Sequence, residues 1–201
     1  MQTDVQQAQA FEKLFPTYTG SMTALIEKSF SGVHLQSSVL TQKTEPLEGF
    51  LADLATAQGF KRGENVLHRR ALLYDEKTKS NFLYASCILS INTLPCSVVR
   101  AINERPEVPL GRHLNTIQIE KMILSTTDRP CGTFLAEQFS RQESELCHVR
   151  RILFNIEKKP AILIEEVFPC RSSPDCPLLT VGVCSSPSGV ISSEKYSVPY
   201  N

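Results

Sequence analysis

Two charged residues inside apolar, strand-like runs are the first candidates for chemistry in this sequence. Arg70 lies in the run 66–74, VLHRRALLY, and Glu166 lies in the run 161–168, AILIEEVF. A charge in a strand that is apolar on both faces is costly unless it is paired or binds a ligand. The planar guanidinium of arginine binds a carboxylate through two parallel hydrogen bonds, and a desolvated glutamate suits proton transfer. We therefore expect Arg70 and Glu166 to line an anion pocket.

The alternation of side chains along a strand leaves a choice at both positions. Arg69 and Glu165 fall on the faces opposite to Arg70 and Glu166, and the period of two does not decide alone which member of each pair points inward. An internal ion pair without a ligand, or charges at strand ends that reach water, would also account for these residues. The chemistry thus depends on the elements that position them.

Antiparallel strands with helices packed on them are predicted to supply that framework. Strand composition marks residues 33–40, 66–74, 82–91, 117–124, 151–156 and 161–168, and helical spacing of apolar residues marks 8–15, 21–30, 47–58 and 95–103. Two pairs of strands are neighbours in sequence and form hairpins, which excludes parallel crossovers. The predicted fold class is α+β, an antiparallel β-sheet of about six strands with helices.

Length and charge limit the domain count and the class of partner. The 201 residues suit a single domain, which we place at residues 1–170, followed by a Pro-, Ser- and Cys-rich C-terminal tail at residues 171–201. Lys plus Arg and Asp plus Glu number 21 each, which argues against nucleic-acid and membrane partners. The polar N-terminus lacks a signal peptide and no run could span a bilayer, so a cytoplasmic protein is expected.

The seven cysteines are scattered and contain no Cys-x-x-Cys motif. Without a secretion signal we expect reduced thiols, with a disulfide or zinc site among Cys170, Cys176 and Cys184 as the less favoured alternative. The four histidines show no metal-ligand spacing, and the glycines form no phosphate-binding loop. The sequence therefore predicts neither a metal nor a cofactor.

Four blocks of the chain, in order, resemble the chorismate lyase family, the chorismate–pyruvate lyases that form 4-hydroxybenzoate. The blocks are Ser21-Met22-Thr23, Arg70-Ala71-Leu72-Leu73, Pro109-Leu110-Gly111-Arg112-His113-Leu114, and the strand from Lys159 to Phe168. The resemblance covers about residues 20–169. It implies a chorismate lyase-like fold, in which helices and the sheet enclose a buried ligand cavity.

The resemblance also implies an activity, the elimination of pyruvate from chorismate to give a hydroxybenzoate without a cofactor. On this interpretation Arg70 and Glu166 are catalytic, with Arg70 clamping a substrate carboxylate and Glu166 beside the ether oxygen. Met22 and Leu110 match positions whose backbone amides bind the substrate. The expected partner is a small-molecule carboxylate, the expected state is a monomer or dimer, and a plastid is the alternative location.

One departure from the family pattern keeps other functions open. Ser86 stands where the hydroxybenzoate-forming enzymes carry an arginine, which removes a positive charge from the expected cavity entrance and puts the substrate in question. A tailoring enzyme acting on another cyclic or chorismate-derived acid is one alternative. The other is a non-catalytic module that binds a small acid, because the same fold serves as the effector domain of some transcription regulators.

Overall fold

The computed structural model describes residues 4–170. These residues form a single antiparallel sheet of six strands with helices packed on it. The strands are β1 (Leu35–Pro46), β2 (Asn65–Asp75), β3 (Asn81–Ser90), β4 (Glu120–Pro130), β5 (Leu146–Ile156) and β6 (Lys159–Pro169). Their order across the sheet is β1-β2-β3-β6-β5-β4, with β1 and β4 at the two edges. Strand β6 of the β5–β6 hairpin therefore pairs with β3 of the β2–β3 hairpin, which joins the two hairpins into one sheet.

Helices cover both faces of this sheet. They are α1 (Asp4–Leu14), α2 (Met22–Ser29), α3 (Gly49–Thr56), α4 (Cys96–Glu104), α5 (Leu110–His113) and α6 (Gly132–Phe139), with a 3-10 turn at Leu114–Thr116. Apolar residues of α1, α2 and α4 pack on one face, and those of α3 and α6 pack on the other. Because the sheet is buried on both sides, its central strands carry few polar residues.

Strand register sets which residues share a face. In β2, Arg69 pairs with Cys87 of β3, and Ala71 pairs with Ala85. Ala85 in turn pairs with Glu166 of β6, which pairs with Arg150 of β5. Residues directly opposite each other in a ladder point to the same side of the sheet. The side that carries α1, α2 and α4 thus holds this row of alanines, Glu166 and Arg150.

Local sequence explains how α2 and α5 meet above this face. Ser21 caps α2, since its side chain accepts a hydrogen bond of 3.4 Å from the amide of Ala24. At Gly111, an added Cβ would lie only 3.0 Å from Ser21 Oγ and 3.4 Å from Thr23 Oγ1. The missing side chain therefore lets the start of α5 approach the start of α2 closely.

The α+β fold class predicted from the sequence is confirmed, while several boundaries differ. Strand β1 runs to Pro46, six residues beyond its predicted end, and β4 lies at 120–130 and not at 117–124. Helix α6 occupies part of the predicted loop between β4 and β5. Tertiary contacts stabilise helix α6, because its Leu135, Ala136 and Phe139 pack in one cluster with strand residues of β2, β5 and β6.

A disulfide joins Cys131 to Cys147, so the expectation of reduced thiols was wrong for this pair. The two residues are 16 apart in sequence, and their Cα atoms lie 5.6 Å apart because the chain returns along β5 after α6. Cys87, Cys96 and Cys170 are free thiols. Cys176 and Cys184 belong to the predicted tail, residues 171–201, which lies outside the described residues, and the domain boundary at 170 stays a prediction.

Breaking this bridge is expected to destabilise the domain measurably. A disulfide that closes a loop of about 15 residues contributes roughly 3 kcal/mol, mainly by restricting the unfolded chain. The variant Cys131→Ala should therefore lower the free energy of unfolding by about that amount in a urea titration. The matched control is Cys96→Ala, which removes an exposed free thiol and should leave stability unchanged. Equal stability of the two variants would contradict the prediction.

Two features are absent from residues 4–170. No helix there combines the length and the apolar character needed to cross a membrane. No group of three or more His, Cys, Asp or Glu side chains in that part of the chain is placed to hold a metal ion.

Candidate functional site

A cavity of about 280 Å³ lies between the sheet and the helices α2 and α5. Strands β2, β3, β5 and β6 form its floor, and residues 20–23 and 110–119 contribute to its walls. This volume suits a small organic molecule. The cavity separates two apolar clusters on the same face of the sheet, one below α4 and one below α1 and α2.

Small side chains open the middle of the floor. Ala71 and Ala85 face each other across β2 and β3, and Glu166 continues the same row on β6. Larger apolar residues, Leu73, Leu83 and Ile164, line the cavity around this point. Two adjacent alanines on a sheet face otherwise rich in leucine and isoleucine leave room for a flat group directly beside the Glu166 carboxylate.

Arg69 is the arginine of β2 that reaches this cavity. Its side chain is 2% exposed and donates hydrogen bonds to Gln42 Oε1 at 2.8 Å, Ser37 Oγ at 2.9 Å and the carbonyl of Pro106 at 2.6 Å. All three partners are neutral, and no carboxylate of residues 4–170 forms a salt bridge with it. Burial lowers the pKa of Arg69, yet arginine remains charged at neutral pH. Within residues 4–170 this buried cation on the cavity wall thus has no salt-bridge partner, and only the more distant charge of Glu107 acts on it.

The predicted inward position of Arg70 is wrong. Arg70 pairs with Thr41 and Ser86, which places it on the sheet face opposite to the cavity. Ser86 lies on that same face and pairs with Glu165, so its departure from the family pattern has no effect on the charge of the cavity. Because almost every residue of β2 is buried, hydrophobicity gave no signal for the choice between Arg69 and Arg70.

Glu166 lies at the cavity as predicted, and its partner is Arg150. The Nε and Nη2 atoms of Arg150 each lie 2.6 Å from Glu166 Oε2, and the two side chains are 1% and 7% exposed. Arg150 Nη1 also donates to the carbonyls of Phe15 at 2.6 Å and Tyr18 at 2.7 Å. This buried pair therefore holds the segment between α1 and α2 against the sheet.

A third cation, Lys121, enters the cavity from β4. Its Nζ donates a hydrogen bond of 3.0 Å to the carbonyl of Gly20 and lies 4.9 Å from the centre of the Phe154 ring. Burial lowers the pKa of Lys121, and the charge of Arg150 lowers it further, against the opposing effect of Glu166. With Arg69 and Arg150, the cavity holds three basic side chains and one carboxylate.

The two residues predicted to bind through backbone amides, Met22 and Leu110, both line the cavity. Met22 is the first residue of α2, where backbone N–H groups lack intrahelical acceptors and a partial positive charge develops. Leu110 begins the short α5 on the neighbouring wall. The structure thus brings Met22, Leu110 and Glu166 together at one cavity, and only Arg70 falls outside it.

Sequence reasoning missed Arg150 and Lys121, and it named Arg69 only as the alternative to Arg70, although signals for Arg150 and Lys121 were present. Arg150 and Arg151 repeat the Arg-Arg doublet of β2 inside a second apolar strand, but the predicted strand began at Arg151, five residues after the observed start of β5, and so left Arg150 out. Lys121 continues the odd-numbered face of Ile117 and Ile119 in the predicted strand. The cavity as a whole carries a net positive charge from three basic side chains and one carboxylate, which suits the binding of an anion.

Solved structures with the same architecture come from bacterial transcription regulators. The effector domain of PhnF from Mycobacterium smegmatis has a TM-score of 0.59 and 11% identity, over 77% of this chain and 91% of that chain. The C-terminal domain of the histidine utilization repressor from Pseudomonas syringae has a TM-score of 0.53 and 11% identity, over 76% and 100%. A Bordetella bronchiseptica ligand-binding domain, described as that of a GntR-family transcriptional regulator, has a TM-score of 0.54 and 11% identity, over 69% and 85%.

No protein-family model and no curated protein matches the chain. At these identities the solved structures establish the fold, which is chorismate lyase-like. The prediction of chorismate–pyruvate lyase activity is wrong, because these neighbours are effector and ligand-binding domains of regulators. Because Arg70 lies on the opposite face of the sheet, the cavity also lacks one of the two residues to which that activity was assigned.

Proposed function

We propose that this domain is a non-catalytic module that binds a small carboxylic acid in the cavity below α2 and α5. Arg69 carries the proposal, because it is a buried cation on the cavity wall whose partners are all neutral. A charge in such a position is costly unless an anion compensates it. Three of its five N–H donors are used by the protein, which leaves two for a ligand.

The rest of the cavity supports the same class of ligand. Lys121 adds a second cation without a carboxylate partner in residues 4–170, while Arg150 is neutralised by Glu166. The amide groups at the start of α2 add a partial positive charge. Ala71 and Ala85 leave space for a flat ring between these groups. Effector and ligand-binding domains of the same fold support binding as the role of the cavity.

This proposal retains the small-molecule partner expected from the sequence. The kinship with chorismate lyases is proposed here as shared ancestry of the fold and cavity, without their reaction. The expected absence of nucleic-acid and membrane partners, and the expected monomer or dimer, stay predictions for this chain.

A pair of ligands of equal shape tests the proposal. Benzoate and benzamide differ in charge but hardly in size, so benzoate should raise the thermal unfolding midpoint and bind in a calorimetric titration, while benzamide should do neither. A ligand at 100 times its Kd stabilises the folded state by about 2.7 kcal/mol. A panel of other small acids and their amides extends the comparison. Equal binding of acids and amides, or binding of neither, would overturn the proposal.

Filling the cavity floor should abolish this binding. The variant Ala85→Leu places a larger apolar side chain beside Glu166, in the space that we assign to the ring. Because the new side chain enters an existing cavity, the protein should fold with stability close to that of the wild type. Calorimetry should show binding weakened by at least tenfold. The control Ala57→Leu, at the C-terminal end of α3 on the far side of the sheet, should bind normally.

A further inference from the structure

Lys121 is a nucleophilic group that anion binding alone does not require. Its amino group lies on the cavity wall, next to the ring of Phe154 and among apolar residues that include Ile119 and Ile152. The carbonyl of Gly20 is its hydrogen-bond acceptor among the described residues. Within the described part of the chain Lys121 forms no salt bridge, and Glu166 acts on it only through the electric field of its charge.

The surroundings favour the neutral, reactive form of this amine. Desolvation is the main cause that lowers the pKa of Lys121, and the charges of Glu166 and Arg150 act on it in opposite directions, Glu166 raising it and Arg150 lowering it. Lysines desolvated in an apolar pocket, or placed beside another cation, are those that attack carbonyl groups. Donation of one N–H to Gly20 also fixes the orientation of the nitrogen and leaves its lone pair free for a ligand.

We propose that Lys121 forms a reversible imine with an oxo acid whose carboxylate lies toward Arg69. This inference rests on the proposed function, since the acid must first occupy the cavity. The amine nitrogen attacks the carbonyl carbon, the carbonyl oxygen takes up protons, and one water leaves as the C=N bond forms. No electrons are gained or lost, and hydrolysis reverses the step. Glu166, whose hydrogen bonds to Arg150 use Oε2, is the carboxylate that lines the same cavity.

The distance between Arg69 and Lys121 across the sheet determines how long this ligand must be. Four strand spacings separate β2 from β4, or about 19 Å between backbones at roughly 4.8 Å each. The side chains of Arg69 and Lys121 cover only part of that distance. The carbonyl and the carboxylate of the ligand must therefore be separated by several bonds, as in an aromatic acid with an aldehyde opposite its carboxylate. Short α-oxo acids such as pyruvate cannot reach both groups.

Trapping with borohydride tests the imine directly. The protein is incubated with 4-carboxybenzaldehyde and sodium cyanoborohydride, digested, and analysed for reductive labelling by mass spectrometry. We expect Lys121 to be labelled at least tenfold faster than Lys61, an exposed lysine between α3 and β2. Excess benzoate should suppress labelling at Lys121 only, and pyruvate should label it poorly. Lys121→Met should lose the fast labelling, whereas Lys61→Met should retain it.

The possible outcomes separate this inference from the function on which it rests. Binding of benzoate without preferential labelling of Lys121 would overturn the imine and leave the acid-binding module intact. Failure of both benzoate binding and labelling would overturn the two together. Fast labelling that survives Lys121→Met, or that benzoate does not suppress, would also refute the assignment. A thermal unfolding curve of Lys121→Met confirms that the variant is folded.

Discussion

Replacing Arg69 with glutamine is expected to weaken the binding of a small carboxylate by about 10²-fold or more. The reason is that a buried charge-assisted contact contributes roughly 2–5 kcal/mol when one partner is truncated. Glutamine can keep hydrogen bonds to Ser37 or Gln42, so the fold should survive. Calorimetric titration of the wild type and the variant with the same acid measures the effect. Arg69→Lys keeps the charge but has too few donors to serve Ser37, Gln42, Pro106 and a ligand together, and should bind with intermediate affinity.

The neighbouring residue provides a matched control for this experiment. Arg70→Gln makes the same chemical change one position along β2, but on the opposite face of the sheet. It should leave carboxylate affinity within about twofold of the wild type, because the charge it removes is screened by solvent. Equal losses in the two variants would show that the acid responds to the overall charge of the protein and makes no contact with Arg69. Normal binding by Arg69→Gln would refute the proposed site.

The strand register explains why one inward charge was predicted correctly and the other was not. Glu165 and Glu166 differ in burial, and Glu166 is the buried member that faces the cavity. Arg69 and Arg70 lie in a strand that is buried on both faces, so the sequence pattern does not distinguish them. Antiparallel pairing decides the question, since Ala85 pairs with both Glu166 and Ala71, and this fixes the odd-numbered residues of β2 as the cavity face.

The sequence blocks that suggested an enzyme mainly contain residues that the fold itself requires. Ser21 in the Ser-Met-Thr block caps α2, and Gly111 in the Pro-Leu-Gly block permits the close approach of α5 to α2. Both requirements belong to any protein that builds this cavity, whatever the cavity does. A fold can host several functions, so these blocks predicted the architecture correctly and the reaction wrongly.

The features that could not be predicted from the sequence are contacts between residues that are distant along the chain. Arg150 lies 16 residues before Glu166 and more than 130 residues after its other partners, Phe15 and Tyr18. Cys131 and Cys147 likewise meet only because α6 turns the chain back onto the sheet. Neither arrangement follows from local periodicity, because both depend on how β5 pairs with its two neighbours, β4 and β6.

The Arg150–Glu166 pair is expected to dominate the polar contribution to stability in this domain. Removing one partner of a buried ion pair leaves an uncompensated charge and costs about 3–5 kcal/mol. Glu166→Ala should therefore lower the free energy of unfolding by about that amount, a large share of the 5–15 kcal/mol typical of a domain. Urea denaturation of the purified variant measures the loss. The control Glu165→Ala removes a partly exposed carboxylate that contacts Arg129 and Arg151, and should cost roughly 1 kcal/mol or less.

A compensating double substitution separates the pair from the other contacts of Arg150. If the cost of Glu166→Ala comes from the orphaned guanidinium, Arg150→Met combined with Glu166→Leu should recover much of the lost stability, since apolar residues can replace a buried pair. Recovery should stop short of the wild type, because the carbonyls of Phe15 and Tyr18 lose their donor in the double variant. A loss below 1 kcal/mol in Glu166→Ala would mean that Arg150 finds another anion or water. The buried pair would then not be what holds the segment between α1 and α2 on the sheet.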